Sequence, residues 1–176
     1  MEAALHSPEK PVPQLIVMLT YHDMTVPNAA AVFEQCKDTH AQYWGFKEKG
    51  LPFPEMQALF TRMKACGKTT CLEVVAYTEA ESLQGAAIAA ACGCDLLMGT
   101  VFSDAVNAFC QAHGLRYLPF VGQISGRPSV LRGSAEEMIA QAKAYCSKGV
   151  SGVDLLGYRY TGNALALNQA LTAAVP

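Results

Sequence analysis

Short apolar runs alternate with longer amphipathic stretches along most of the chain. Residues 15–23, Leu-Ile-Val-Met-Leu-Thr-Tyr-His-Asp, are almost unbroken in their apolar character until the last three positions. A run this short and this apolar predicts a strand covered on both faces, as in a parallel sheet packed between helices. Its end would deliver Tyr21, His22 and Asp23 together at one rim. Residues 26–37 then read as a helix, with Thr25 as a possible cap and Pro27 in the first turn.

The unit repeats. Further strands are predicted at 43–47, 69–76, 95–101, 117–122 and 152–158, and further helices at 54–66, 79–92, 104–113, 135–147 and 162–174. Met56, Leu59, Phe60 and Met63 share one face of the second helix, and Gly67, Gly93 and Gly114 each follow a helix end. Ser134 with Glu137 three residues on makes a capping box for the fifth helix. Residues 123–133 read as a longer loop. Residues 1–13, with three prolines and no apolar run, read as a loose lead-in to a single domain over 14–176.

Consecutive βα units with short connections predict a parallel sheet with right-handed crossovers. No Gly-x-Gly-x-x-Gly follows the first strand, so the dinucleotide-binding signature is absent, and the single glycines Gly99 and Gly122 carry little weight. A regular period of about 27 residues and polar strand ends favour an α/β barrel of TIM type. Such a barrel has eight units and six are visible, so the barrel is expected to be incomplete at its C-terminus, with the first and sixth strands left as edges. A truncated product, closure by a partner chain and a sheet that stays open all fit this pattern.

Composition narrows the function. A net charge of −2 leaves no electrostatic footprint for nucleic acid or an acidic membrane surface. No apolar stretch approaches the roughly 18 residues of a membrane span without a charge or turn residue. The seven cysteines lie mostly within apolar helix and strand patterns, which reads as reduced core thiols in a cytoplasmic protein. Cys92-Gly-Cys94 is too tight for the usual redox or zinc spacing, and no other His or Cys cluster completes a metal site, so neither metal nor other cofactor is expected.

Barrel chemistry sits at the C-terminal ends of the strands. Those positions hold His22, Asp23, Lys47, Glu73, Gln123, Asp154, Tyr158 and Arg159. Lys47 offers a cation for a Schiff base or an enolate, Glu73 and Asp154 offer carboxylates for proton transfer, and His22 offers an imidazole for acid–base work. Each has an ordinary alternative. Lys47 opens Lys-Glu-Lys and fits an exposed loop as well, while His22 and Asp23 fit a local helix cap. Glu73 lies between Leu72 and Val74, where an unpaired carboxylate is costly, and a salt bridge to Lys47 on the neighbouring strand would satisfy it, in a structural or a catalytic role. Alternation along 152–158 puts Asp154 and Tyr158 on one, interior, face. Arg127, Arg132 and Arg159 are candidates for holding an anionic substrate.

Leu-Thr-Tyr-His-Asp (19–23), Gly-Phe-Lys (45–47), Leu-Glu-Val-Val (72–75), Pro-Phe-Val-Gly (119–122) and residues 152–160 give the chain its resemblance to the short sugar-phosphate-handling barrels. These comprise keto-acid phosphate aldolases, phosphosugar decarboxylases and isomerases. The resemblance implies a lyase or isomerase acting on a small phosphorylated carbonyl or sugar compound through an enolate-like intermediate. Lys47 would stabilise the anion, Glu73 or Asp154 would move the proton, and His22 would be a second acid–base. Asp23, Gln123, Arg127, Tyr158 and Arg159 would bind substrate. The phosphate grip of that superfamily follows strands seven and eight, which this pattern lacks, and its Schiff-base lysines often lie on strand six, where this chain has Asp154 and Tyr158. A metabolite-binding regulatory barrel and an inactive truncated barrel are the rival expectations, and the exposed edges predict a homo-oligomer.

Overall fold

The computed structural model describes residues 12–175, so nearly all of the expected lead-in lies outside the described residues. The first apolar run is not one strand. It divides into β1 (Ile16–Met18), which enters the main sheet, and a small hairpin of β2 (Thr20–Tyr21) and β3 (Met24–Thr25). The hairpin turn is His22-Asp23, both at positive φ (49° and 60°), the sign required at both central positions of a two-residue type I′ turn. Helix α1 (Ala29–Cys36) begins three residues later than the pattern predicts, and Thr25 does not cap it; the cap position is Asn28.

The next elements follow the sequence reading closely: β4 (Tyr43–Lys47), α2 (Phe53–Ala65), β5 (Thr69–Ala76), α3 (Glu79–Ala91), β6 (Leu96–Val101), α4 (Asp104–Ala112) and β7 (Arg116–Phe120). Their boundaries have local causes. Pro54 sits in the first turn of α2, where a missing N–H does no harm, and the hydroxyls of Thr78 and Ser103 accept backbone N–H bonds at the starts of α3 and α4.

Strands β1, β4, β5, β6 and β7 form a parallel sheet whose spatial order is the chain order. Side chains alternate between its faces. Trp44, Phe46, Leu72, Val74, Leu97 and Tyr117 point to the helices and pack with Phe33, Phe60, Met63, Ala86, Ala89 and Val106 in the main core. Phe46 stacks on Phe60 with ring centroids 4.1 Å apart, and Phe33 meets Trp44 edge-on at 5.2 Å. Helix α3 lies so close to the sheet that a Cβ on Gly85 would come within 2.5 Å of Val74 Cγ1.

The C-terminal third departs most from expectation. The predicted loop 123–133 is a second hairpin, β8 (Gln123–Ser125) with β9 (Val130–Arg132). Helix α5 (Ala135–Ser147) carries the expected Ser134–Glu137 capping box. The sixth strand at 152–158 does not form. A single parallel bridge joins Asp154 to Phe120, with the Asp154 N–H donating to the Pro119 carbonyl at 2.8 Å, and the chain then turns through a 3₁₀ segment, Gly157–Arg159, into α6 (Ala164–Ala174). Val153, Leu155 and Leu156 instead pack on a smaller cluster around Val121, Leu131, Met138, Leu167 and Leu171. The seven cysteines are unpaired, and burial pushes the Cys71 and Cys94 thiols up to about 12, which makes them packing groups rather than nucleophiles.

Candidate functional site

Lys47 is the last residue of β4 and only 8% exposed. Its backbone is held from both sides by Thr25: the Lys47 N–H donates to the Thr25 hydroxyl at 2.9 Å, and that hydroxyl donates to the Lys47 carbonyl at 2.7 Å. The first hairpin is thereby fastened to the end of β4, and its turn carries Asp23 to within 3.0 Å of Lys47 Nζ. Across the sheet Lys47 is in register with Glu73 on β5, and Nζ lies 3.6 Å from Glu73 Oε1.

Beyond Glu73 the ladder is irregular on both sides of β6. One extra residue enters β5 between Glu73 and Ala76, and one enters β6 between Met98 and Val101. Bulges of this kind re-aim neighbouring groups. Gly99 sits in the second, at φ 85°, and a Cβ there would lie 2.7 Å from the Val74 carbonyl oxygen and 3.0 Å from Glu73 Cγ. Its missing side chain leaves room for Glu73, and its backbone amide favours the ionised form of Asp154.

These carboxyls do not behave alike. The Lys47 ammonium holds Asp23 below the usual carboxylate range, by hydrogen bond and by charge. Burial pushes Glu73 up, with Lys47 opposing and Glu48 and Asp23 adding repulsion. Burial, reinforced by the charge of Glu73, raises Asp154 from the ordinary 3.8 to about 7. One carboxylate is thus firmly ionised beside the cation while another stands near half-protonation at neutral pH, the division of labour that acid–base chemistry requires.

A cleft of about 330 Å³ opens at this rim, lined by Asp23, Lys47, Glu48, Lys49, Val75, Arg127, Pro128 and Ser129. The last three come from the turn between β8 and β9. Of the residues expected to form a site, Asp23, Lys47 and Arg127 line the cleft, Glu73 contacts Lys47, and Asp154 is coupled to Glu73 through its charge. The others fall elsewhere. His22 is exposed at the hairpin turn with its ring against Tyr21, centroids 4.0 Å apart. Gln123 is exposed and spends its backbone on Arg132. Tyr158 is 97% exposed, because the 3₁₀ turn breaks the alternation that would have placed it beside Asp154. Arg159 is exposed on the same turn and reaches the site only as a weak field on Asp23.

Sequence reasoning missed Thr25, Glu48, Lys49, Gly99 and Ser129. Glu48 carried a signal, since it follows Lys47 directly at the strand end, and burial raises its carboxyl. Among the described residues no group of three or more His, Cys, Asp and Glu side chains is arranged to hold a metal ion, and no helix is long and apolar enough to cross a membrane.

No family model matches the chain, and no curated protein does. Among solved structures, a muconate cycloisomerase variant superposes with a TM-score of 0.48 at 13% identity, covering 82% of this chain and 39% of that one.

Proposed function

We propose that the chain is a lyase or isomerase that acts on a small phosphorylated carbonyl or sugar compound through an enolate-like intermediate. The observation that carries this reading is geometric: at the edge of a cleft the nearly buried Lys47 ammonium lies 3.6 Å from the Glu73 carboxyl, and burial together with the charge of Glu73 raises Asp154 to about 7. In the proposed step Glu73 or Asp154, as carboxylate, takes the proton from the carbon beside the carbonyl. The C–H electron pair forms the enolate, and the Lys47 ammonium stabilises the charge on its oxygen. Where the α carbon bears a hydroxyl, that hydroxyl proton passes to the former carbonyl oxygen and the abstracted proton returns to the former carbonyl carbon, which completes an isomerisation; expulsion of a group from the β carbon with its bonding pair completes a lyase reaction. His22, turned outward at the hairpin, takes no part.

The sheet is read as part of a barrel of TIM type. Its strands are parallel and follow chain order, its helices pack on one face, and Lys47 and Glu73 occupy the other at the C-terminal end. Seven unpaired cysteines support a reducing, cytoplasmic compartment. The test is hydrogen exchange in D2O with a set of small phosphorylated aldehydes, ketones and keto acids. Uptake of deuterium beside the carbonyl, lost in K47M and in D154N, is expected. Saturable binding without exchange in any member of the set would favour the metabolite-sensing alternative.

A further inference from the structure

The β8–β9 hairpin is built into the cleft from outside the main sheet. Tyr77, just past the end of β5, holds it there: its hydroxyl donates to the Gly126 carbonyl at 2.8 Å and lies 2.6 Å from Ser129 Oγ. Because the phenolic proton goes to Gly126, the Ser129 hydroxyl donates to Tyr77 Oη. The Arg127 guanidinium lies 5.3 Å over the Tyr77 ring, and its Nη2 donates to the Val75 carbonyl at 3.0 Å. One aromatic residue therefore fixes the chain on both sides of Arg127 and also the plane against which the guanidinium rests.

Charge pairing in the cleft is uneven. Lys47 is matched by Asp23 and Glu73, and Lys49 approaches Glu48 at 4.0 Å. Arg127 has no carboxylate in salt-bridge reach among the described residues; its contacts are a backbone carbonyl and an aromatic face. A guanidinium has five N–H donors in a fixed fork, and the single carbonyl leaves most of them unspent. A guanidinium held against a ring, lining a cleft that Lys49 also lines, suits a planar carboxylate or a phosphate oxygen pair.

We propose that the β8–β9 hairpin is the specificity element of this cleft: Arg127, with Lys49, binds the anionic group of the ligand, and Tyr77 is the positioning residue that holds Arg127 in place. The ligand class is a small molecule with a carboxylate or phosphate monoester at one end. The inference rests on the proposed function only in using the same cleft.

Inorganic phosphate and malonate are titrated separately into the full chain while the ¹⁵N–¹H signal of Arg127 Nε is followed. Saturable binding of at least one anion at millimolar concentration is expected; phosphate alone indicates a phosphate monoester, malonate alone a carboxylate. In R127M the affinity falls about tenfold or more. In Y77F, which keeps the ring, it falls by about threefold while the thermal midpoint moves by only about 2–4 °C, a combination that a merely structural tyrosine does not give. K47M retains anion binding even if it abolishes deuterium exchange, and binding through Arg127 in a chain with no exchange activity leaves this inference standing while removing the enzymatic one. An Arg127 signal unmoved by either anion, or R127M binding as the wild type does, overturns it. Unchanged affinity in Y77F overturns the role of Tyr77.

Discussion

Lys47 and Glu73 stand opposite each other on adjacent parallel strands, with 3.6 Å between Nζ and Oε1, in a setting where both side chains are mostly withdrawn from water. A carboxylate so placed depends on its counterion. We expect K47M to destabilise the protein by about 2–4 kcal/mol at pH 8 and by clearly less at acid pH, because burial raises the Glu73 carboxyl and lets it take up a proton sooner than an ordinary carboxyl as pH falls. Adding E73Q should recover much of the loss. Urea unfolding of the two variants at both pH values checks this, and a K47M penalty independent of pH would show that the pair is not what stabilises this rim.

Asp154 gives a second pH dependence. Its carboxyl is raised to about 7 in the folded chain, against 3.8 unfolded, so the folded state holds the extra proton between those values. Stability should therefore fall as pH rises from about 4 to about 7 and level off above that. The loss is on the order of 2–4 kcal/mol, and D154N should flatten the curve. Asp23, lowered by Lys47, works in the opposite sense and its contribution disappears only as pH falls through the acid range. Denaturant midpoints measured across pH 4–8 for wild type and D154N decide the matter.

Gly99 divides Glu73 from Asp154 and tolerates little change. At φ 85° a side chain is strained, and its Cβ would press on the Val74 carbonyl oxygen at 2.7 Å. G99A should cost about 1–3 kcal/mol and should also lower any exchange activity, because Glu73 Cγ, 3.0 Å away, must shift. A variant with normal stability and normal activity would mean that the bulge relaxes without moving the carboxyl.

Parts of this arrangement are legible in the sequence. Tyr43–Lys47, Thr69–Ala76 and the capped helix Ala135–Ser147 have the predicted limits, because continuous apolar runs and local caps fix them without help from distant residues. The Lys47–Glu73 contact followed from strand order alone. The failures share a cause. Residues 152–158 contain enough apolar side chains for a strand, but Val153, Leu155 and Leu156 are taken by the cluster under α5 and α6, so only Asp154 pairs. Both hairpins have strands of two or three residues, too short to show a period. Gly99 carries no signal of its own in the sequence because a lone glycine has no pattern; its meaning is the crowding of Val74 and Glu73 around it.

His22 lies at the hairpin turn rather than in the cleft, and its role has its own test. Histidine at positive φ in a two-residue hairpin turn is less favourable than asparagine, the usual first residue of such turns. H22N should therefore stabilise the protein by about 0.5–1 kcal/mol and leave exchange activity unchanged. Loss of activity in H22N would restore the imidazole to the site.

The open side of the sheet bears on association. Among the described residues β1 is an edge strand of three residues, and β7 is continued by the bridge at Asp154 and a bond from the Ser151 N–H to the Tyr117 carbonyl, so no further strand of the described chain pairs along either edge. On the face away from the helices Ile16, Met18, Met98 and Leu118 are only half-buried, and Leu15, just before β1, is 68% exposed. Apolar side chains along an open edge favour self-association, since covering a Leu-sized group is worth about 1.5–3 kcal/mol. The chain is therefore expected to form homo-oligomers through the β1 edge at micromolar concentration. Light scattering should show a mass above that of one chain, and I16K, which places a charge on the open face, should shift it toward the monomer. A wild-type chain that stays monomeric and well dispersed under these conditions would mean that the edge is already protected, and association would drop out of the account.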